Sequence, residues 1–252
     1  MHFKTTGIVL KQRSCLNEQK YMTLLTPEKG LLDARVRVFG QVNKSVFRNI
    51  NVLGYYHFNI FDGRYGCVVD SAEAIEQFFD LRYDPEKLAL AQYFCELTYL
   101  LVPSKQRASR HLNLLLNSLW LLQKGCYENK FIKCVFELRL LSLSGYMPNL
   151  VCCKVCCNYE KEQMFYVPSQ GFLICSDCLR FNQYGSEVKL TKPVLHAMRY
   201  IIYKDDKDIF KFKLEASQLD FLSKLVEKSV MIYVEKELVT LKIYHQFTGE
   251  FG

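Results

Sequence analysis

Near Asp80 the apolar residues of this chain stop alternating and begin to recur at helical spacing, and the change happens once. Before it lie five short segments rich in β-branched and aromatic residues: 4–10 (KTTGIVL), 20–26 (KYMTLLT), 30–39 (GLLDARVRVF), 52–61 (VLGYYHFNIF) and 64–70 (RYGCVVD). Turn signals separate them, TPEKG at 26–30, VNKS at 42–45 and DGR at 62–64. Five strands in so short a stretch fit a small closed or nearly closed barrel. The five-stranded oligonucleotide-binding (OB) type is the commonest candidate, and an SH3-like barrel shares the pattern.

After the change, Leu88, Ala91, Cys95, Thr98 and Val102 form an apolar face behind the start signal DPEK, and Pro103 ends it. Leu112, Leu115, Leu116, Leu119 and Leu122 make a second face, with Trp120 expected in the core beside them. Phe131, Cys134, Val135, Leu138 and Leu141 make a third, closed by Gly145. Further on, Thr191 with Pro193 and Ser217 with Asp220 read as two more helix starts. Strands first and helices afterwards define a segregated α+β chain. The expected division is a barrel over 1–80 and a helical domain over 81–252, with a metal-binding insertion at 150–181.

That insertion is written in cysteines. Residues 151–158 read VCCKVCCN, and ICSDC follows at 174–178. Cys153/Cys156 and Cys175/Cys178 are C-x-x-C pairs separated by eighteen residues, a spacing suited to one zinc held by two knuckles. A two-residue spacer lets both sulfurs of a pair face one tetrahedral ion from a single tight turn. Cys152 and Cys157 form no such pair and are expected spectators, although either remains an alternative ligand. Four thiolates leave zinc no open position, so the ion is expected to be a structural staple. A redox dithiol is the competing reading, but no strand–helix unit of thioredoxin type surrounds either pair.

The chain has 11 cysteines and no apolar leader at its start, so the cluster fits a reducing, cytoplasmic setting better than a disulfide framework. Its longest apolar stretch, LNLLLNSLWLL, is too short and too polar to span a bilayer. Phosphate-loop, dinucleotide-binding, nucleophile-elbow and zinc-protease motifs are absent from the sequence, which argues against an enzyme. Net charge is +7 and unevenly placed: residues 1–52 carry nine Lys/Arg against three Asp/Glu, and the remainder 24 against 23. A basic barrel points to a polyanionic partner.

Several stretches together resemble the bacterial RecO recombination mediators: TTGIVLKQR near the start, NEQKYMTLLTPEKG at 17–30, FELRLLSLSGYMPNL at 136–150 leading into the first knuckle, and GFLICSDC at 171–178. The resemblance implies a non-enzymatic DNA repair factor that binds single- and double-stranded DNA and anneals complementary strands. It also implies that the protein engages the acidic tail of the single-strand-binding protein SSB and, with RecR, helps RecA load onto SSB-coated DNA, in the bacterial cytoplasm at the nucleoid. In that family the loop after the third strand is a dense basic run. Here RVRVFGQVNKSVFRN supplies only Arg35, Arg37, Lys44 and Arg48.

Four phosphate contacts give single-strand binding a salt slope near about −3. Lys11, Arg13 and Lys20 are expected to extend this surface, and Phe39 and Phe47 are placed to stack on bases or to pack inward. A second basic cluster, SKQRASRH at 104–111, offers Lys105, Arg107 and Arg110 to a partner such as the SSB tail. Two other readings share these features: a protein-interaction scaffold with weak intrinsic DNA binding, and an RNA- or transcription-associated zinc-ribbon protein.

Overall fold

The structure, a computed structural model, describes residues 1–14, 20–36 and 50–249, with the side chain of Ser14 excepted. Strands β1 (His2–Ser14), β2 (Lys20–Thr26), β3 (Gly30–Val36), β4 (Tyr55–Gly63) and β5 (Gly66–Glu76) form a closed barrel in the cyclic order β1-β2-β3-β5-β4. Every pair is antiparallel except β3 and β5, which run parallel with Ala34 beside Cys67 and Arg35 beside Val68. Alternation does the sorting: Tyr56, Phe58 and Ile60 of β4 enter the core, while His57, Asn59 and Phe61 face out. The buried Tyr56 hydroxyl accepts the Asn51 N–H at 3.0 Å, so its polar end is satisfied inside an apolar interior.

A 3₁₀ turn at Phe79–Tyr83 leads to helices α1 (Pro85–Leu101), α2 (Ser109–Lys124), α3 (Asn129–Leu143), a single turn α4 (Ser176–Leu179), α5 (Lys192–Tyr203), α6 (Ala216–Val234) and α7 (Val239–Thr248). The DPEK signal works as written: the Asp84 carboxylate accepts the Lys87 N–H at 3.2 Å and Pro85 takes the first helical position. Gly125, at φ 66, ends α2 in the left-handed conformation that costs glycine least. Ser217 does not start α6, because the helix already includes Ala216 and makes no side-chain cap. Trp120 is not core. It is 49% exposed, on the flank of the buried Leu112–Leu115–Leu119–Leu122 stripe.

Two compact units emerge, residues 1–126 with 238–252, and residues 127–237. They do not follow the change of period at residue 80. In the first unit, helices join the barrel through backbone pairing: the Ala108 N–H donates to the Pro27 carbonyl at 2.9 Å, and Ser104 bridges to Gly30 and Leu31. The N-terminus of α7 is held to α1 by Glu96, which accepts the Thr240 N–H at 3.1 Å. Such long-range contacts leave no trace in local periodicity.

In the second unit, α3 is the central helix, buried from Phe131 to Leu141. It carries a buried ion cluster, with Lys133 Nζ 2.9 Å from Glu137 and 2.6 Å from Glu227 on α6. Arg139 pairs with Asp206 and donates to the carbonyls of Ile201 and Lys204 at 3.0 Å each, satisfying the end of α5. Strands β6 (Asn149–Cys153), β7 (Met164–Val167), β8 (Phe172–Cys175) and β9 (Val188–Leu190) make a small sheet in the order β6-β8-β7-β9. Among the described residues, no helix is long and apolar enough to cross a membrane.

Candidate functional site

The small sheet assembles the cysteines. Cys153 ends β6 and Cys175 ends β8, and these strands run parallel, with Cys153 beside Leu173. After Cys153 the chain turns tightly: the Cys157 N–H donates to the Cys153 carbonyl at 3.0 Å, and Cys157 takes a φ of 58°. The second pair comes round through the β7–β8 hairpin, whose turn closes with the Gly171 N–H on the Val167 carbonyl at 2.8 Å. Cys178 then follows on α4. The sulfurs of Cys153, Cys156, Cys175 and Cys178 lie within 4.8 Å of one another, and those of Cys156 and Cys175 are 3.7 Å apart. Four sulfurs about 2.3 Å from a tetrahedral zinc stand about 3.8 Å from each other, so the set has the size of a metal site.

Its electrostatics favour charge on the first knuckle. The Asn158 backbone N–H, helped by the Asn158 side chain donating at 3.2 Å, lowers the Cys156 thiol to about 6. Burial opposes ionisation of Cys153, but N–H donors that include Cys175 at 3.4 Å bring it below the ordinary thiol value. Burial and the neighbouring sulfurs push Cys178 up to about 12, and Cys175 rises with burial as its leading cause. Sulfurs this close cannot all be anionic unless a cation shares their charge. Cys152 and Cys157 stand outside the four-sulfur set, and the Cys152 thiol is raised by burial and by Cys157.

One clamp behind the knuckle escaped the sequence reading. Arg199 of α5 donates to the carbonyls of Leu150 at 2.7 Å, Val151 at 3.1 Å and Tyr159 at 2.8 Å, so a single guanidinium fastens the chain on both sides of the first knuckle. It also lies 4.0 Å from the Tyr159 ring centre. Glu160 joins it, 3.5 Å from Arg199 and 3.1 Å from His196, and the His196 hydrogen bond holds its carboxyl below the ordinary range.

On the barrel, Lys11 and Arg13 of β1, Tyr21 of β2, Arg35 of β3, Tyr65 and Tyr99 of α1 line a groove of about 490 Å³. Arg13 pairs with Tyr21 and Tyr21 with Arg35, so the three share one cross-strand row. Lys11 Nζ sits 3.4 Å above the Tyr99 ring. The Asp33 carboxylate in the same groove accepts the Thr23 hydroxyl at 2.7 Å. Arg35 Nε is buried and without a hydrogen-bond partner among the described residues.

Lys20 must be withdrawn from the expected DNA contacts. It shares the inward parity of Met22 and Leu24, is 9% exposed, and donates to the Ile50 carbonyl at 2.7 Å. Burial lowers its pKa. Arg37, Lys44 and Arg48, with Phe39 and Phe47, lie outside the described residues. Lys105, Arg107 and Arg110 are exposed at the approach to α2 and in its first turn.

A closed barrel followed by helices that carry a four-cysteine knuckle defines the class of protein. The profile of a family described as "Recombination protein O C terminal" matches residues 82–242. The chain is 30% identical over 240 residues to the DNA repair protein RecO of Acetivibrio thermocellus, covering 95% of each. It is 26% identical over 236 residues to that of Alkaliphilus metalliredigens, covering 94% of this chain and 95% of the relative, and 27% identical over 239 residues to one from Dehalococcoides mccartyi, covering 93% and 92%. The chain belongs to the RecO family of DNA repair proteins.

Proposed function

We propose that this chain is a non-enzymatic recombination mediator whose barrel, of OB type, binds single- and double-stranded DNA and anneals complementary strands. With RecR it assists RecA in loading onto SSB-coated DNA in the bacterial cytoplasm. The observation that carries this reading is the groove in which Lys11, Arg13 and Arg35 converge from two strands beside exposed tyrosines, on the basic half of a RecO-family chain. The strand order, with β5 closing parallel against β3, supports the OB assignment. Arg37, Lys44 and Arg48 extend the DNA contacts, and Lys105, Arg107 and Arg110 receive the acidic SSB tail.

In this reading Cys153, Cys156, Cys175 and Cys178 hold one zinc ion. When bound, it supplies four-fold cross-linking of a sheet too small to have a core of its own, and with no open position it performs no chemistry on a substrate. The scaffold reading draws on the inward turn of Lys20 and on Asp33 in the groove, both of which thin the positive surface.

Fluorescence anisotropy of a labelled single strand across a salt series separates the two. A slope near about −3, made shallower by about 0.7 for each of Arg13→Ala and Arg35→Ala, is the expected result. Absence of binding even at low salt rejects the DNA-binding barrel and leaves the scaffold.

A further inference from the structure

The turn between β4 and β5 carries a tyrosine that neither the turn nor the core requires. Gly63 pairs with Gly66, so Arg64 and Tyr65 alone span the tip, and Gly66 takes the positive φ of 97°. Tight turns favour Asn, Asp, Ser and Gly, which bond their own backbone or tolerate its conformation, and a tyrosine brings neither property. Tyr65 is 80% exposed, so its ring adds little apolar burial. The ring nevertheless lines the groove that holds Lys11, Arg13 and Tyr99. Tyr99 is half-buried with the Lys11 ammonium 3.4 Å above its face, whereas the cation beside Tyr65, the Arg64 guanidinium, lies 6.0 Å from the ring centre. Lys11, Arg13 and Arg64 are all exposed, and Asp33, which also lines the groove, accepts the Thr23 hydroxyl. An open π face among exposed cations suits a ligand that is planar and anionic at once, and a nucleotide is both.

We propose that Tyr65 is the base-stacking residue of the groove, with Arg64 beside it and Lys11 and Arg13 of β1 taking phosphates of the same strand, so that the groove prefers an unpaired strand to a duplex. The proposal rests on the DNA-binding reading above and deepens it. A duplex hides its base faces within its own stack and offers the groove phosphates alone. A single strand offers phosphates and bases together, and the preference is tolerant of sequence because every base has a π face. The tip of a two-residue turn suits this task, since the ring can meet a base without displacing any side chain from the barrel core.

The test uses the full chain and three labelled ligands of equal length: a strand of thymidines, a strand of abasic deoxyribose phosphates, and a duplex. Tyr65→Asn installs a residue that turns favour and removes the π face, and Tyr65→Phe keeps the ring. The wild type should bind the thymidine strand between about 5- and 150-fold more tightly than the abasic one, the range for a single base–aromatic stack. Tyr65→Asn should erase that difference and leave duplex affinity unchanged. Tyr65→Phe should retain the difference, and neither variant should alter the salt slope, which counts phosphates. Arg64→Ala should make the slope shallower by about 0.7.

Equal affinity of the wild type for the two single strands overturns the proposal without relying on any variant to fold. So does a Tyr65→Asn protein that melts with the wild type and still discriminates, or one that loses duplex and single-strand affinity alike. An Arg64→Ala slope equal to that of the wild type overturns the phosphate contact at the turn. In each case slopes made shallower by Arg13→Ala and Arg35→Ala leave the DNA-binding reading standing. A wild type that binds none of the three ligands overturns both.

Discussion

The cysteine cluster and the barrel groove are both gathered by the fold, but over very different lengths of chain. Each cysteine pair is closed by one turn, and a single hairpin brings the second pair to the first. The groove draws on four strands, Tyr65 and a helix, and its central row exists only because the registers of β1–β2 and β2–β3 agree at Tyr21. A slip of one residue in either would turn the row to the other face, whereas the cysteine spacing would survive it. A site made of neighbours is stated by spacing. A site made of strangers is stated by parity and register together.

Removing the metal should separate the two regions with the largest effect. Cys153→Ser and Cys175→Ser, or a strong chelator, should reduce zinc from one ion per chain to none by elemental analysis. The loss forgoes on the order of 10 kcal/mol of apparent binding free energy and should abolish the cooperative melting of the 127–237 unit. Cys152→Ser and Cys157→Ser should keep the ion. Strand binding and its salt slope should persist in the chelated protein, and their disappearance would show that the barrel depends on the cluster.

A smaller effect comes from a site that mixes both kinds of gathering. Lys133 meets Glu137 one helical turn away and Glu227 from a distant helix, and it is 2% exposed. Lys133→Met leaves the buried Glu137 carboxylate and the half-buried Glu227 carboxylate without their cation and should cost about 3–5 kcal/mol by denaturant melting. Replacing Glu137 and Glu227 with Gln in the same protein should recover most of it. Burial lowers the Lys133 pKa, but the two carboxylates outweigh it and raise the net value above 10.5. Its stabilisation is therefore complete below that ordinary value and is lost only as pH rises through the higher folded one.

The smallest effect concerns the clamp. The Glu160 pKa is depressed by its His196 hydrogen bond, so its contribution is present above the ordinary carboxylate value of 4.5 and fades as pH falls through the lower folded value. Melting temperature followed into acid should drop less steeply in Glu160→Gln than in the wild type. An unchanged acid limb would confine Glu160 to a surface role.

The change of period, all five strands and the spacing of the four clustered cysteines were legible because each is a local pattern. β2 matched at both ends because its alternation is uninterrupted between Lys20 and Thr26. β1 runs past Leu10 to Ser14 because an irregularity between Val9 and Lys11 shifts its register and disguises the continuation. Lys20 was legible too: it shares parity with Met22 and Leu24, and charge was weighed where alternation should have decided. Parity likewise marked Tyr21 as outward. Arg199 was not legible, since nothing in its neighbourhood announces that its guanidinium closes a loop some forty to fifty residues earlier in the chain. α7 was missed because its burial is confined to Leu241 and Tyr244, too sparse for a periodic signal.

The parallel β3–β5 seam also bears on how the barrel breathes. Among the described residues it is held at two registered positions, fewer than any other pair of the barrel, and its closure carries the entropic cost of a long intervening loop. A seam of that kind opens before the rest, and the amides at Ala34, Arg35, Cys67 and Val68 should exchange with solvent through local opening well below the global unfolding free energy. Arg35 belongs to this seam and to the groove at once. Any ligand that spans the groove binds only the closed barrel, and occupancy therefore acts as a latch whose strength grows with ligand concentration.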